Sequence, residues 1–425
     1  MRRVMAMVGR FAAFLLLRRL EVAGPARFPR GRPVLLVANH FNGFVDPIVI
    51  TAALGRTPRF IAKAGLRTLP VAGLLLRSAG VVFVRRPQDG GGGNDDAFAE
   101  CHRALAKGDV VAIFPEGTTH DRPRIDPLKT GAARIALGAR MAGARNLAIV
   151  PVGLTFPDKV ALRSSALVQF GVPLELDAAV PGSVGPDDAE AVRHLTAAID
   201  EGLRAVSLDF PDTETALALE QAAQVALSGP DEPDPSLEAR YELARRLGRA
   251  SPEQQTTVRS QIGRYAAVLS GLHLTVADVI SPTNPSGLLR SALGIAVLVV
   301  LLGGLVAATA LINLWPAALV ALVSLLVKTP VSKGTARVVV GLVAFPAAWI
   351  TAGVLSTDGS LRVSLVVLTA AMGALAAVAL VERAMALARM LLRWQAQRER
   401  IGTVGLALAV RAEVVATVRA VAAQP

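Results

Sequence analysis

The sequence predicts an α/β domain, a helical linker and a carboxyl-terminal α-helical transmembrane region. Three observations carry that expectation. Between Val34 and Val152 short apolar runs alternate with helix-period stretches, the pattern of strands covered by helices. Residues 184–280 repeat with a helical period between Pro-rich breaks such as Gly229-Pro230-Asp231-Glu232-Pro233. From Ser291 onward come apolar runs of membrane-spanning length.

Composition agrees: 425 residues are 52% hydrophobic and 18% charged, with net charge +12 and mean hydropathy +0.48. Residues 1–90 hold 15 Arg or Lys against 3 Asp or Glu, residues 91–290 hold 19 against 26, and residues 291–425 hold 11 against 4. A basic amino end suits an anionic membrane surface or phosphorylated substrates. Nucleic acid is not expected as a partner, because no binding motif accompanies the charge and aromatics are 4%. The single cysteine, Cys101, excludes an intramolecular disulfide and a multi-cysteine metal site.

In chain order, Val4 to Leu17 is apolar, interrupted by Arg10, and too short to cross a bilayer. Residues 1–24 therefore read as an amphipathic interfacial helix, with Arg2, Arg3, Arg18 and Arg19 toward lipid headgroups. The alternative is a helix packed on the domain.

Residues 25–183 form the expected catalytic domain. Val34 to Ala38 reads as a buried strand that runs into Asn39-His40, and Asp46 follows six residues after the histidine. His40 then sits at the carboxyl end of a strand, where α/β folds collect ligands. It can take a proton from a hydroxyl, with Asp46 to orient the ring. Taken alone, though, Asp46 before Pro47 reads more readily as a helix cap than as a catalytic partner.

Further elements follow: a strand at 59–62, a helix near 71–76, a strand at 80–84 ending in Arg85-Arg86, a helix from Asp95 and a strand at 109–114. Arg85 and Arg86 suit a phosphate clamp or plain solvated charge. Gly90 to Gly93 lacks the Lys-Ser/Thr of a nucleotide cradle. The loop Pro115-Glu116-Gly117-Thr118-Thr119-His120-Asp121-Arg122 is a dense polar cluster at a strand end, and Leu147 to Val152 reads as another strand.

NHFNGFVDP, GVVFVRR, FPEGTTHDRPRIDPLKTGA and IVPVGL stand in the order and spacing of the four sequence blocks of the glycerol-3-phosphate and 1-acylglycerol-3-phosphate (lysophosphatidate) acyltransferase superfamily, which residues 30–175 thus resemble. Most of that superfamily has four residues between the His and the Asp. The five found here, with NGFVDP and EGTTHDRP, resemble the branch of fungal-type glycerol-3-phosphate/dihydroxyacetone-phosphate acyltransferases. The resemblance implies His40 and Asp46 as the catalytic pair. It places Arg85 or Arg86 with Glu116, Gly117 and Thr118 on the phosphoglycerol acceptor and adds Lys129 near the same anion. Asn39 and Pro151 would shape the pocket. His120 reads as a second acid/base or a loop-stabilising hydrogen bond.

The implied activity is acyl transfer from acyl-CoA or an acyl carrier protein to glycerol 3-phosphate, with lysophosphatidate as the alternative acceptor. No metal and no cofactor beyond that co-substrate is expected. A lipid-binding or transport protein with a degenerate front domain is the rival reading.

Residues 184–285 read as a helical linker or cap and 286–382 as three or four transmembrane helices, with a tight hairpin at Asn313 to Pro316. Residues 383–425 read as a basic cytoplasmic helical tail. Arg290, Lys328, Lys333, Arg337, Arg383, Arg389 and Arg393 place the catalytic domain on the cytoplasmic side. Because the spans hold no acid or base, the tail is expected to anchor the domain and to build none of its active site.

Overall fold

The computed structural model describes residues 2–68, 70–85, 93–159, 161, 163–272, 274–280, 284–356, 359–399 and 401–423. Arg86, Gly90 to Gly92 and His273 lie outside the described residues. The chain divides into two compact units, Met1–Thr213 with Val327–Val338, and Glu214–Leu326 with Val339–Pro425.

The first unit is built on a mixed sheet whose centre is β2 (Val34–Ala38), every residue of which is buried. Leu35 and Val37 enter one core with α4 (Asp95–Ala106), α5 (Gly131–Met141) and α7 (Ala189–Val206). Val34, Leu36 and Ala38 enter the other, with Val45, Val49 and Ile50 of α2 (Val45–Leu54). Burial on both faces explains why β2 is apolar throughout and does not alternate.

Around β2 the remaining strands are β1 (Leu17–Ala23), β3 (Arg59–Lys63), β4 (Val82–Val84), β5 (Val110–Ile113), β6 (Ala148–Thr155), β7 (Ser164–Phe170) and β8 (Leu174–Glu175). Their order is β1-β7-β6-β2-β5-β3-β4, and β8 pairs with β6. The run β6-β2-β5-β3-β4 is parallel, so the carboxyl ends of these strands share one edge. Strand β7 is antiparallel to β6 and carries β1 outside it.

Two expectations change. The amino-terminal helix α1 spans Arg2–Leu16, and Leu17–Ala23, read from sequence as part of that helix, is instead strand β1. Arg19 there pairs with Glu21 at 2.7 Å, so it is engaged within the protein. The physical cause is distant: β1 finds its partner in β7, about which local periodicity carries no information. One face of α1 packs on α2, with Gly9 against Thr51, while Met7, Phe11 and Phe14 are exposed.

Pro151 sits within β6, where a residue lacking N–H is unusual. On its outer side β6 pairs with β8 at 148–149 and with β7 at 152–155. Pro151 falls in the break between the two, and its carbonyl accepts from Gly171 N at 2.8 Å. It lies below the site edge as a packing residue, beneath Gly202 of α7.

The second unit is helical. Among the described residues three helices are long and apolar enough to cross a membrane, at Pro285–Leu326, Ser332–Ser356 and Ser360–Gln395. Asn313 and Pro316, expected to form a hairpin, lie inside one helix, Pro285–Leu326. Asn313 instead accepts from Trp349 Nε1 at 2.8 Å and donates to the Ala370 carbonyl at 3.0 Å. A polar group joining three apolar helices is the usual use of an amide in a membrane.

Candidate active site

The carboxyl end of β2 delivers Asn39 and His40 to the shared edge. Asn39 behaves as an extra rung of the sheet: its Nδ2 donates to the Leu154 carbonyl at 2.9 Å and its Oδ1 accepts from Leu154 N at 2.6 Å. This lock on β6 fixes where the next residue points. His40 Nδ1 lies 2.8 Å from Asp46 Oδ2, and the ring stacks on Phe114 with centroids 4.1 Å apart and planes 16° from parallel.

Asp46 is fully buried and its Oδ2 also accepts the N–H groups of Phe41 and Asn42, at 2.9 and 2.8 Å. It organises the turn before α2, whose N-cap is Phe44 with no side-chain cap. A carboxylate oxygen only accepts, so the 2.8 Å contact assigns Nδ1 as the donor to Asp46 and leaves Nε2 as the acceptor of a neutral ring. His40 keeps 16% of its side chain exposed, so a base faces the edge while its orienting carboxylate is hidden.

Glu116, at the end of β5, is 3% exposed and both its oxygens are occupied. Oε1 accepts from His40 N at 2.9 Å, and Oε2 accepts from Asp126 N at 2.9 Å and faces His120 Nε2 at 2.5 Å. His120 N donates to the His40 carbonyl at 3.4 Å. The carboxylate therefore braces the histidine segment against the polar loop. Gly117 takes φ of 72°, a left-handed turn that favours glycine, and a Cβ there would meet Lys129 Nζ at 2.7 Å.

Glu116, His120 and Asp126 offer ligand atoms within 4.8 Å of one another, the group among the described residues that could hold a cation. Each is already engaged, Asp126 also with Arg122. Asn39, His40, Asp46, Glu116, Gly117 and Lys129 thus come together. Thr118 is exposed beside them. Arg85 stands at the end of β4, three strands from β2 and so about 14 Å across the sheet. Its backbone is tied to Asn94, and its side chain is exposed.

Residues that the motif reading passed over also reach the site. Phe114 closes the far face of the His40 ring. Lys159, after β6, lies over the Phe41 ring. From residues 327–338, Thr335 Oγ1 accepts from Phe44 N at 3.3 Å, Gly334 packs directly on Asn42, and Val338 is buried in the core beside Val45. The sequence reading gives the tail no part in building the active site; residues 327–338 pack against the turn that carries His40 and Asp46. Only the aromatic that ends DVVAIF carried a local signal.

An imidazole held by a buried carboxylate at the carboxyl edge of an α/β sheet has the geometry to take a proton from a hydroxyl. The comparisons point the same way: residues 19–155 match the family model described as Acyltransferase. The lyso-ornithine lipid O-acyltransferase of Rhizobium meliloti (strain 1021) is 32% identical over 204 residues, 47% of this chain and 63% of that protein. Glycerol-3-phosphate O-acyltransferase 2 of Saccharomyces cerevisiae is 33% identical over 133 residues, 31% of this chain and 18% of that protein. The chain spans less than two thirds of the length of these curated relatives. A solved structure, the 1-acyl-sn-glycerophosphate (LPA) acyltransferase PlsC from Thermotoga maritima, aligns with 48% of this chain and 77% of its own at 21% identity and a TM-score of 0.36.

Proposed function

We propose that this chain is a membrane-bound O-acyltransferase that moves a fatty acyl group from acyl-CoA, or an acyl carrier protein, to a hydroxyl of glycerol 3-phosphate in phospholipid biosynthesis. The single observation behind it is the His40–Asp46 pair at 2.8 Å with Nε2 left for substrate. In this reading Nε2 takes the acceptor hydroxyl proton as that oxygen attacks the thioester carbonyl. The tetrahedral intermediate then collapses, the carbon–sulfur bond breaks, and the thiolate leaves with the proton returned by the imidazolium. Asp46 stabilises the imidazolium between the two steps. Lys129 and the Gly117-Thr118 turn supply charge and shape around the acceptor, and Glu116 braces that turn from inside.

Two other acceptors have specific support. Lysophosphatidate is favoured by the relatives of that activity from plant chloroplasts. A lyso-ornithine lipid is favoured by the longer match to the bacterial enzymes of that name. The purified full chain in detergent, given labelled acyl-CoA or acyl carrier protein and each acceptor in turn, separates the three by product. His40→Ala should lower turnover at least ~10²-fold with folding intact. Absence of product with every acceptor, or near-normal turnover in that variant, overturns the reading.

The basic residues flanking the spans favour a cytoplasmic catalytic domain. Protection of that domain from protease added outside intact cells tests the sidedness.

A further inference from the structure

Lys159 stands in the turn after β6, the strand that neighbours β2. Its ammonium lies 4.3 Å from the centroid of Phe41, the residue after the base, and only 19% of its side chain is exposed. A carboxylate oxygen, Asp121 Oδ1, is 3.7 Å away on a side chain that is 41% exposed. The charges of Asp46 and Glu116 also act on the lysine. Burial lowers its proton affinity below that of an ordinary lysine, and the three carboxylates only partly restore it. An ammonium buried for a long ion pair with a solvated carboxylate loses more hydration than that pair returns. A buried cation held against the residue next to His40 is a candidate for binding a ligand.

The other cations of the edge differ. Lys63, Arg85 and Lys129 are exposed, and Arg85 is three strands from the base. When an acceptor hydroxyl sits on His40 Nε2, its own phosphate follows only a few bonds away. A cation that meets that phosphate must stand near the dyad, and Lys159 is held against Phe41, the residue after His40, within the electrostatic reach of Asp46 and Glu116.

We propose that Lys159 binds the phosphate of the acceptor next to the reacting hydroxyl and so selects for phosphorylated acceptors. The inference rests on the acyl-transfer reading above. Such a lysine moves the substrate into position; the proton transfer remains with His40.

The test uses the full chain in detergent with glycerol 3-phosphate and acyl-CoA. Lys159→Met keeps the packing on Phe41, and it should raise the acceptor KM roughly 10- to 100-fold, the range for losing a charged hydrogen bond, with the donor KM changed less than about twofold. Lys159→Arg should restore most of the loss. Asp121→Asn removes the ion-pair partner and should leave the acceptor KM unchanged or lower. In the unaltered chain the acceptor KM should climb at alkaline pH as the ammonium discharges, facing Asp121, Asp46 and Glu116, and Lys159→Arg should move that climb upward.

An unchanged acceptor KM in Lys159→Met, or an Asp121→Asn variant that copies it, overturns the inference and leaves acyl transfer standing. If the unaltered chain acylates nothing, the functional reading fails instead. Calorimetry with glycerol 3-phosphate then still decides: binding that Lys159→Met abolishes supports the site, and equal or absent binding in both chains refutes it.

Discussion

The Phe44 backbone N–H donates to Thr335 Oγ1 at 3.3 Å, across 291 residues of chain. Phe44 is the N-cap of α2, a helix with no side-chain cap of its own, and the turn it closes carries His40 and Asp46. Asp46 holds that turn from inside, while Thr335 holds it from the other side and Gly334 fills the space against Asn42.

Thr335→Val in the full chain should therefore lower kcat about 2- to 10-fold, matching a net hydrogen bond of ~0.5–1.5 kcal/mol, with little change in Tm. Gly334→Leu, which drives a side chain into Asn42, should do more harm. Steady-state kinetics check both, and wild-type kcat in the two variants would show that the brace has no bearing on the reaction.

Glu116 makes a different prediction from that of a residue in contact with acceptor. Its oxygens accept from His40 N and Asp126 N and face His120. Glu116→Ala should cost about 1–3 kcal/mol of stability, the penalty for stranding buried donors, and should lower kcat. A variant that melts normally and changes only the acceptor KM would return Glu116 to substrate binding.

Asn39→Ala removes both hydrogen bonds to Leu154 inside the sheet. Two buried backbone groups lose their partner, so a destabilisation of roughly 2–4 kcal/mol is expected, with activity falling as the His40 segment loosens. Denaturant unfolding measures the first quantity. A loss under about 0.5 kcal/mol would mean that the lock is dispensable.

Cys101 is fully buried in α4, and burial pushes its thiol up to about 12. Thiolate is then scarce at neutral pH, and the side chain is shielded as well. A thiol reagent at pH 8 should neither label the folded chain nor inhibit it, and should label it promptly once unfolded. Rapid stoichiometric labelling of native protein would contradict this placement.

The sequence by itself determined the parts whose cause is local. Val34 to Ala38 had to be a strand covered on both faces, because five consecutive small or apolar residues offer no polar side. The polar residues at its end then had to stand at a sheet edge, which placed His40 there, while Asp46 reads as a helix cap until the four acyltransferase-like blocks are taken together; the helical runs after Ser291 followed from length and hydropathy alone. Periodicity says which face of an element is apolar but not which distant segment will cover it.

Tertiary structure decided the rest for that reason. Leu17–Ala23 extends because β7 is there to receive it. Asn39 finds its partner 115 residues away, Glu116 turns inward to an N–H 76 residues before it, and Phe44 reaches Thr335 across 291 residues. Lys159 gives no local sign of its place, since a lysine in a turn ordinarily points to water. It meets Phe41, the residue after His40, only because β6 pairs in register with β2 and carries its following turn over that ring.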